Sequence, residues 1–203
     1  MILSTDSSQP ELIRKIRKLY LREDYFTADV TFGNGALHVG QGTSPAYCSD
    51  LNPRHEYVIK ADVRNLTFYS GSLKSVLFDP PFLAGCAKGS RMHAAYGSFG
   101  SVVELYEFYD QALKELHRVL APGGLLVFKC QDLNNGRTQG FSHCEIYNAA
   151  LAHGFYALDL FVLTNSRRMK PYNMKQQDHA RKAHCYFWVF KKCGRKNYAV
   201  EKK

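Results

Sequence analysis

"KSVLFDPPF", residues 74–82, passes from a buried strand to a stiff corner. Ser75-Val76-Leu77 and Phe78 form a short apolar run of the kind that fills a parallel sheet. Proline has no amide hydrogen and a fixed φ, so Pro80-Pro81 cannot continue that strand, and it stops at Asp79. Rigidity there holds the Asp79 carboxylate, the Pro80 carbonyl and the Phe82 ring in one mutual arrangement, which suits a site better than a connector. A Pro-Pro pair alone is also ordinary turn punctuation, so its neighbourhood must decide.

Downstream, residues 83–100 are glycine-rich and without period, a loop. Residues 101–120 carry Val102, Leu105, Phe108, Tyr109, Ala112, Leu113, Leu116 and Leu120 at helical spacing, and Pro122-Gly123-Gly124 stops that helix. "LLVFKCQD" reads as another buried strand, and a further helix covers 142–153 and ends at Gly154. "FYALDLFVLTN" and "HCYFWVFKK" are two strand-like runs joined by the basic segment "SRRMKPYNMKQQDHARKA". Upstream, Ser8-x-x-Glu11 with Pro10 opens a helix over 9–22, with Leu12, Ile13, Ile16, Leu19 and Tyr20 on its apolar face. "YFTADVTFGNG" is a strand running into a glycine turn, and two more short strands end at Asp50 and near Asp62.

Strands alternating with helices imply right-handed crossovers and a mostly parallel sheet with helices on both faces. No helix separates the last two strands, so the final one returns antiparallel. Ligands in such sheets bind beyond the carboxyl ends of the strands. Asp29 to Gly35, Asp50, Asp62, Asp79 to Phe82 and Lys129 to Asp132 all fall at such ends. Three parts are expected: an amphipathic helix in 1–24, a catalytic domain in 25–192 and a basic tail in 193–203.

The bulk numbers limit the class. With 203 residues, 45% hydrophobic and 22% charged, the chain reads as one globular domain. No apolar stretch reaches the ~20 residues of a membrane span, and the first residues lack the order of a secretory signal, which points to a cytoplasmic protein. Six cysteines without a Cys-x-x-Cys pair argue for neither disulfides nor a metal. His143-Cys144 and His184-Cys185 are adjacent residues, which on a strand point to opposite faces. The net charge of +9 favours a polyanionic partner, with nucleic acid first.

In "DVTFGNG", Gly33 and Gly35 follow a strand directly, where missing side chains let a ligand approach the backbone. Asp50 lies fifteen residues past Gly35, near the spacing at which a carboxylate reaches ribose hydroxyls, and Asp62 is placed for an adenine amino group. A third glycine and a Gly-Lys-Ser/Thr are both missing, so a phosphate-free nucleoside fits better than a pyrophosphate. S-adenosyl-L-methionine meets that description.

A D-x-T-x-G-x-G turn followed by "DPPF" resembles the S-adenosylmethionine-dependent amino-methyltransferases, which methylate adenine N6 or cytosine N4. "PGGLLVFKCQD", "FSHCEIYNAALAHGF" and "HARKAHCYFWVF" are similar to small DNA methylases, and the likeness spans about residues 25–192. The resemblance implies a class I methyltransferase (Rossmann-like) α/β fold with a seven-stranded sheet. It implies that Gly33 and Gly35 line the methionine part of the cofactor with Asp29 beside them, that Asp50 binds ribose and Asp62 adenine, and that Thr31, Phe32 and Lys129 also belong to the cofactor site. Asp79 and the Pro80 carbonyl, on the Pro80-Pro81 corner, would accept hydrogen bonds from the target amine, and Phe82 would stack on the extruded base.

Three departures stand out. The glycine turn lies so close to Asp50 that the first crossover helix must be very short or replaced by a loop. Phe82 stands where adenine-specific members commonly have tyrosine, and no segment is large enough for a separate recognition domain. Target reading then falls to the 83–100 loop and to 165–183, where Arg167, Arg168, Lys170, Tyr172, Arg181 and Lys182 suit phosphate contact and stacking. The expected activity is methyl transfer to a base amine, adenine N6 in DNA first, by a monomer or homodimer with no metal and no membrane. Methylation of RNA or of a protein amine, and a nonenzymatic basic nucleic-acid-binding module, are the alternatives.

Overall fold

The computed structural model describes residues 1–85, 98–135, 138–164 and 179–193. Its centre is an eight-stranded sheet in the order β1-β9-β10-β6-β5-β2-β3-β4. The strands are β1 (Thr5–Asp6), β2 (Ala28–Asp29), β3 (Tyr47–Asp50), β4 (Ile59–Lys60), β5 (Leu73–Phe78), β6 (Leu120–Cys130), β9 (Phe155–Thr164) and β10 (His184–Lys192). A separate hairpin pairs β7 (Leu133–Asn135) with β8 (Thr138–Gly140). The helices are α1 (Gln9–Tyr20), α2 (Val102–Val119) and α3 (Ser142–Ala152).

From β4 across to β6 all neighbours are parallel, and β10 runs antiparallel to both β6 and β9. This is the expected architecture with one addition. The two-residue β1 pairs parallel with β9, Thr5 opposite Val162 and Asp6 opposite Leu163, and makes an eighth strand.

Period-two alternation divides the central strands between two cores. Leu77 and Val127 face α1, where Leu12, Ile13 and Ile16 pack with Phe26, Leu37, Phe161, Phe187 and Val189. Val76, Phe78, Leu126 and Phe128 face α2 and α3, against Leu105, Tyr109, Leu113, Leu116, Ile146 and Ala150. Ser101 caps α2 by accepting the Glu104 N–H at 3.1 Å, and the Glu104 carboxylate takes the Gly100 N–H at 2.9 Å. α1 therefore covers one face of the central sheet. Among the described residues no helix is long and apolar enough to cross a membrane.

The glycine-turn half of the sheet is less regular. "YFTADVTFGNG" contributes only Ala28–Asp29 as strand, and residues 30–46 form turns in place of a first crossover helix. Side chains hold the later helix-free crossover: Arg118 of α2 donates to the carbonyls of Leu66 and Phe68, both at 3.0 Å, and Glu115 accepts the Leu66 N–H at 2.7 Å. The Pro122-Gly123-Gly124 stop is an irregularity inside β6. Leu73 pairs with Leu120 but Ser75 with Leu125, so the chain bulges between them, and Gly123 takes φ of +77°. At Gly124 a Cβ would meet the Ala121 carbonyl at 2.8 Å, which leaves room only for glycine.

Candidate active site

The corner after β5 is fixed from three directions. Its Asp79 N–H donates to Thr31 Oγ1 at 2.7 Å, which ties it to the glycine turn after β2. From β6, Lys129 Nζ reaches Asp79 Oδ2 at 2.8 Å, with side-chain exposures of 12% and 19%. From α2, the buried Tyr109 hydroxyl donates to the Pro81 carbonyl at 3.2 Å. Pro80 is buried, and Asp79 and Phe82 are half-buried.

Burial pushes the Asp79 carboxyl above the usual range; the Lys129 charge and hydrogen bond pull it down, and the Asp29 charge adds to the upward push. Burial likewise pushes the Tyr109 hydroxyl well up, so it stays a donor. Lys129 also lies 5.7 Å from the centre of the Phe187 ring, which holds its stem in place.

Behind the glycine turn, fully buried Asp29 accepts the Thr31 N–H at 2.9 Å on Oδ1 and lies 2.7 Å from His38 Nε2 on Oδ2. Asp29, Thr31 and Asp79 are thus one connected chain of bonds. Asp50 reaches back to the turn, accepting the Gly33 N–H at 2.8 Å and the Asn52 N–H at 2.8 Å. Gly33 and Gly35 take φ of +56° and +73°, where glycine alone is unstrained. A Cβ at Gly33 would meet only the Thr31 carbonyl, at 3.9 Å, so its outer side is open, whereas a Cβ at Gly35 would meet the Phe32 ring at 3.0 Å. Phe32 is 8% exposed, stacks on His38 at 5.4 Å and meets Tyr57 edge-on at 5.9 Å.

The structure brings Asp29, Thr31, Phe32, Gly33, Gly35 and Asp50 together on one side, and Asp79, Pro80, Pro81 and Phe82 beside them. Lys129, expected near the cofactor, is placed on Asp79. Asp62 stands further along, its carboxylate gripped by Arg64 at 2.6 to 3.1 Å, which lowers its pKa. Lys182 donates to Gln139 Oε1 at 2.7 Å and lies 5.5 Å over the Phe141 ring, while Arg181 is half-buried. Arg167, Arg168, Lys170 and Tyr172 lie outside the described residues. Two supports had no sequence signal of their own: Tyr109 reads as one more core aromatic of α2, and His38 sits in an aperiodic stretch.

A family model described as DNA methylase matches residues 73–203, which begin at β5. The chain belongs to this N6/N4 DNA methylase family. No curated protein sequence matches it. Among solved structures, TrmN from Thermus thermophilus is 17% identical, covers 92% of this chain and 50% of its own, and has a TM-score of 0.54. A SAM-dependent methyltransferase from Thermotoga maritima is 16% identical over 91% of this chain and 88% of its own, with a TM-score of 0.54. A DNA modification methylase from Thermus thermophilus, so named in its structure's description, was solved with S-adenosyl-L-methionine. It is 21% identical over 70% of this chain, with a TM-score of 0.47, and this chain spans 57% of its length. The fold is that of the class I SAM-dependent methyltransferases.

Proposed function

We propose that this family member transfers a methyl group from S-adenosyl-L-methionine to an exocyclic amino group of a nucleic-acid base, adenine N6 in DNA first. The observation that carries the reading is the Asp79 N–H to Thr31 Oγ1 bond, which joins the acceptor corner to the glycine turn. The open side of Gly33 fits a ligand that lies against the backbone, so Gly33, Gly35 and Asp50 are the residues that would hold the cofactor. Bound there, it would supply an electrophilic methyl group.

The chain's own residues supply the rest. An exocyclic amine is a poor nucleophile because its lone pair is delocalised into the ring. Two fixed acceptors, the Asp79 carboxylate and the Pro80 carbonyl, hold its hydrogens so that the pyramidal, reactive form is favoured. Lys129 occupies Asp79 Oδ2 and leaves Oδ1 for the amine. Once nitrogen is alkylated, it sheds a proton, and a carboxylate whose proton affinity is raised by burial is placed to take it. Phe82 stacks on the extruded base, a contact contributing about 1 to 3 kcal/mol. Arg181 and Lys182, with Arg167, Arg168, Lys170 and Tyr172, are the proposed contacts to the nucleic acid.

The test is incubation with methyl-labelled cofactor and a mixture of duplex DNA, RNA and protein, followed by mass spectrometry of the nucleosides. Label in N6-methyladenine from DNA is expected. Label confined to RNA or protein, or none at all, overturns the assignment.

A further inference from the structure

His143 and Cys144, which as strand neighbours would point apart, instead share the first turn of α3, and there their side chains meet. His143 Nε2 lies 3.3 Å from Cys144 Sγ, and His143 Nδ1 lies 2.7 Å from Asp132 Oδ1. Asp132 is 4% exposed and comes from the segment directly after β6. It also accepts the His143 N–H at 3.3 Å and the Tyr186 hydroxyl at 3.4 Å. Burial and the Asp132 charge push Tyr186 up to about 12, so it remains a donor.

The imidazole is held on its other sides too. Its ring stacks on Tyr186 at 4.4 Å, and the Trp188 indole donates to the His143 carbonyl at 3.0 Å. With Nδ1–H donating to Asp132, the Nε2 lone pair is left for the thiol. A nucleophile, a base in reach of it and a buried carboxylate orienting that base make the arrangement of an activated side chain. Cys144 is exposed, whereas Cys48 and Cys130 are buried thiols pushed up by burial, Cys48 to about 11.

The surroundings select the chemistry. The Cys144 and Glu145 N–H groups both donate to the Phe141 carbonyl, at 2.9 and 3.3 Å, so neither is available to hold an oxyanion. Thiol–disulfide exchange needs no such donor. We propose that Cys144 is a base-activated thiol that exchanges with low-molecular-weight disulfides, with His143 carrying the proton.

In the step, the Cys144 thiol gives its proton to His143 Nε2 and its sulfur attacks one sulfur of the disulfide. A new S–S bond forms as the old one breaks, and the departing thiolate takes the proton back from the imidazolium. Cys144 ends in a mixed disulfide with one half of the small disulfide, and the other half leaves as a free thiol. This inference stands apart from methyl transfer and holds or fails without it.

The experiment follows the reaction of the full chain with dithiodipyridine, an uncharged aromatic disulfide, and locates the adduct by peptide mass mapping. At neutral pH Cys144 is expected to react about tenfold faster than N-acetylcysteine. His143→Gln should bring the rate to that of the free thiol, His143→Lys should not recover it, and Asp132→Asn should fall between wild type and His143→Gln. A wild-type Cys144 no faster than N-acetylcysteine overturns the proposal whatever the variants do. So does a folded His143→Gln protein that keeps the fast rate.

Discussion

The corner after β5 and the aspartates of the glycine-turn half are both built from carboxylates at strand ends, yet they are secured differently. Asp79 and Pro81 are held by Thr31, Lys129 and Tyr109, which lie 48, 50 and 28 residues away in the chain. Asp62 is held by Arg64, two residues on, and Asp50 takes one bond from Asn52 and one from Gly33. Long-range supports converge on a position only when α2, β2 and β6 have all docked, so the acceptor corner reports the integrity of the whole sheet. The Asp62 support is local and survives partial loosening, whereas Asp50 keeps one tie to the glycine turn 17 residues back.

The sharpest way to break this contrast is Asp79→Ala. Methyl transfer should fall about 100-fold or more, while cofactor affinity measured by calorimetric titration stays nearly unchanged. An equal loss of both would merge the two halves into one site.

Next comes Lys129→Met, which leaves the largely buried Asp79 carboxylate without its partner. Stability should drop by about 2 to 4 kcal/mol in denaturant unfolding, at the low side because both groups keep some contact with water. The pH profile sharpens this. Because the folded-state pKa of Asp79 is raised, ionising it costs the folded protein stability as pH climbs through that value, and protonating it on the way down removes an acceptor. Activity should therefore be lost on acidification at a pH above the ordinary carboxylate range, and Lys129→Met should move that limb higher still.

Tyr109→Phe deletes a single hydrogen bond to Pro81 and should cost about 1 kcal/mol in thermal unfolding, with kcat lowered and cofactor affinity kept. The smallest effect is expected for Asp62→Asn. Its partner Arg64 is 45% exposed, so stability should change by less than about 0.5 kcal/mol. The Asp62 pKa is lowered, so what it does contribute is present above its ordinary value and disappears as pH falls through the folded one. A loss as large as that of Lys129→Met would show that Asp62 belongs to the rigid half.

The sequence carried the features written in neighbouring residues. Helical period and caps placed α1, α2 and α3 within about two residues, and the apolar run before Asp79 placed β5. The lack of room between Gly35 and Asp50 for a crossover helix also shows in the turns of residues 30–46. The strands β2 and β4 are legible as longer runs than the two residues each keeps, whereas β1 has no period to read, since its place comes from pairing with a distant partner. The same reason hides the anchors: nothing local distinguishes Tyr109 from its apolar neighbours or assigns Lys129 to Asp79. His143 and Cys144 touch because α3 begins where it does, and an assumption of strand geometry points them apart.

β1 has a practical meaning for anyone handling the protein. Ser4 accepts the Val162 N–H at 2.8 Å, Thr5 and Asp6 zip onto β9, and Lys15 fastens to Asp6 at 2.7 Å. This short clasp covers the Val162–Leu163 end of a ten-residue strand, where a free edge is a place for a second molecule to pair. An affinity tag or a trimmed start that disturbs residues 4–6 would unfasten it, and precipitation during purification would be the first sign.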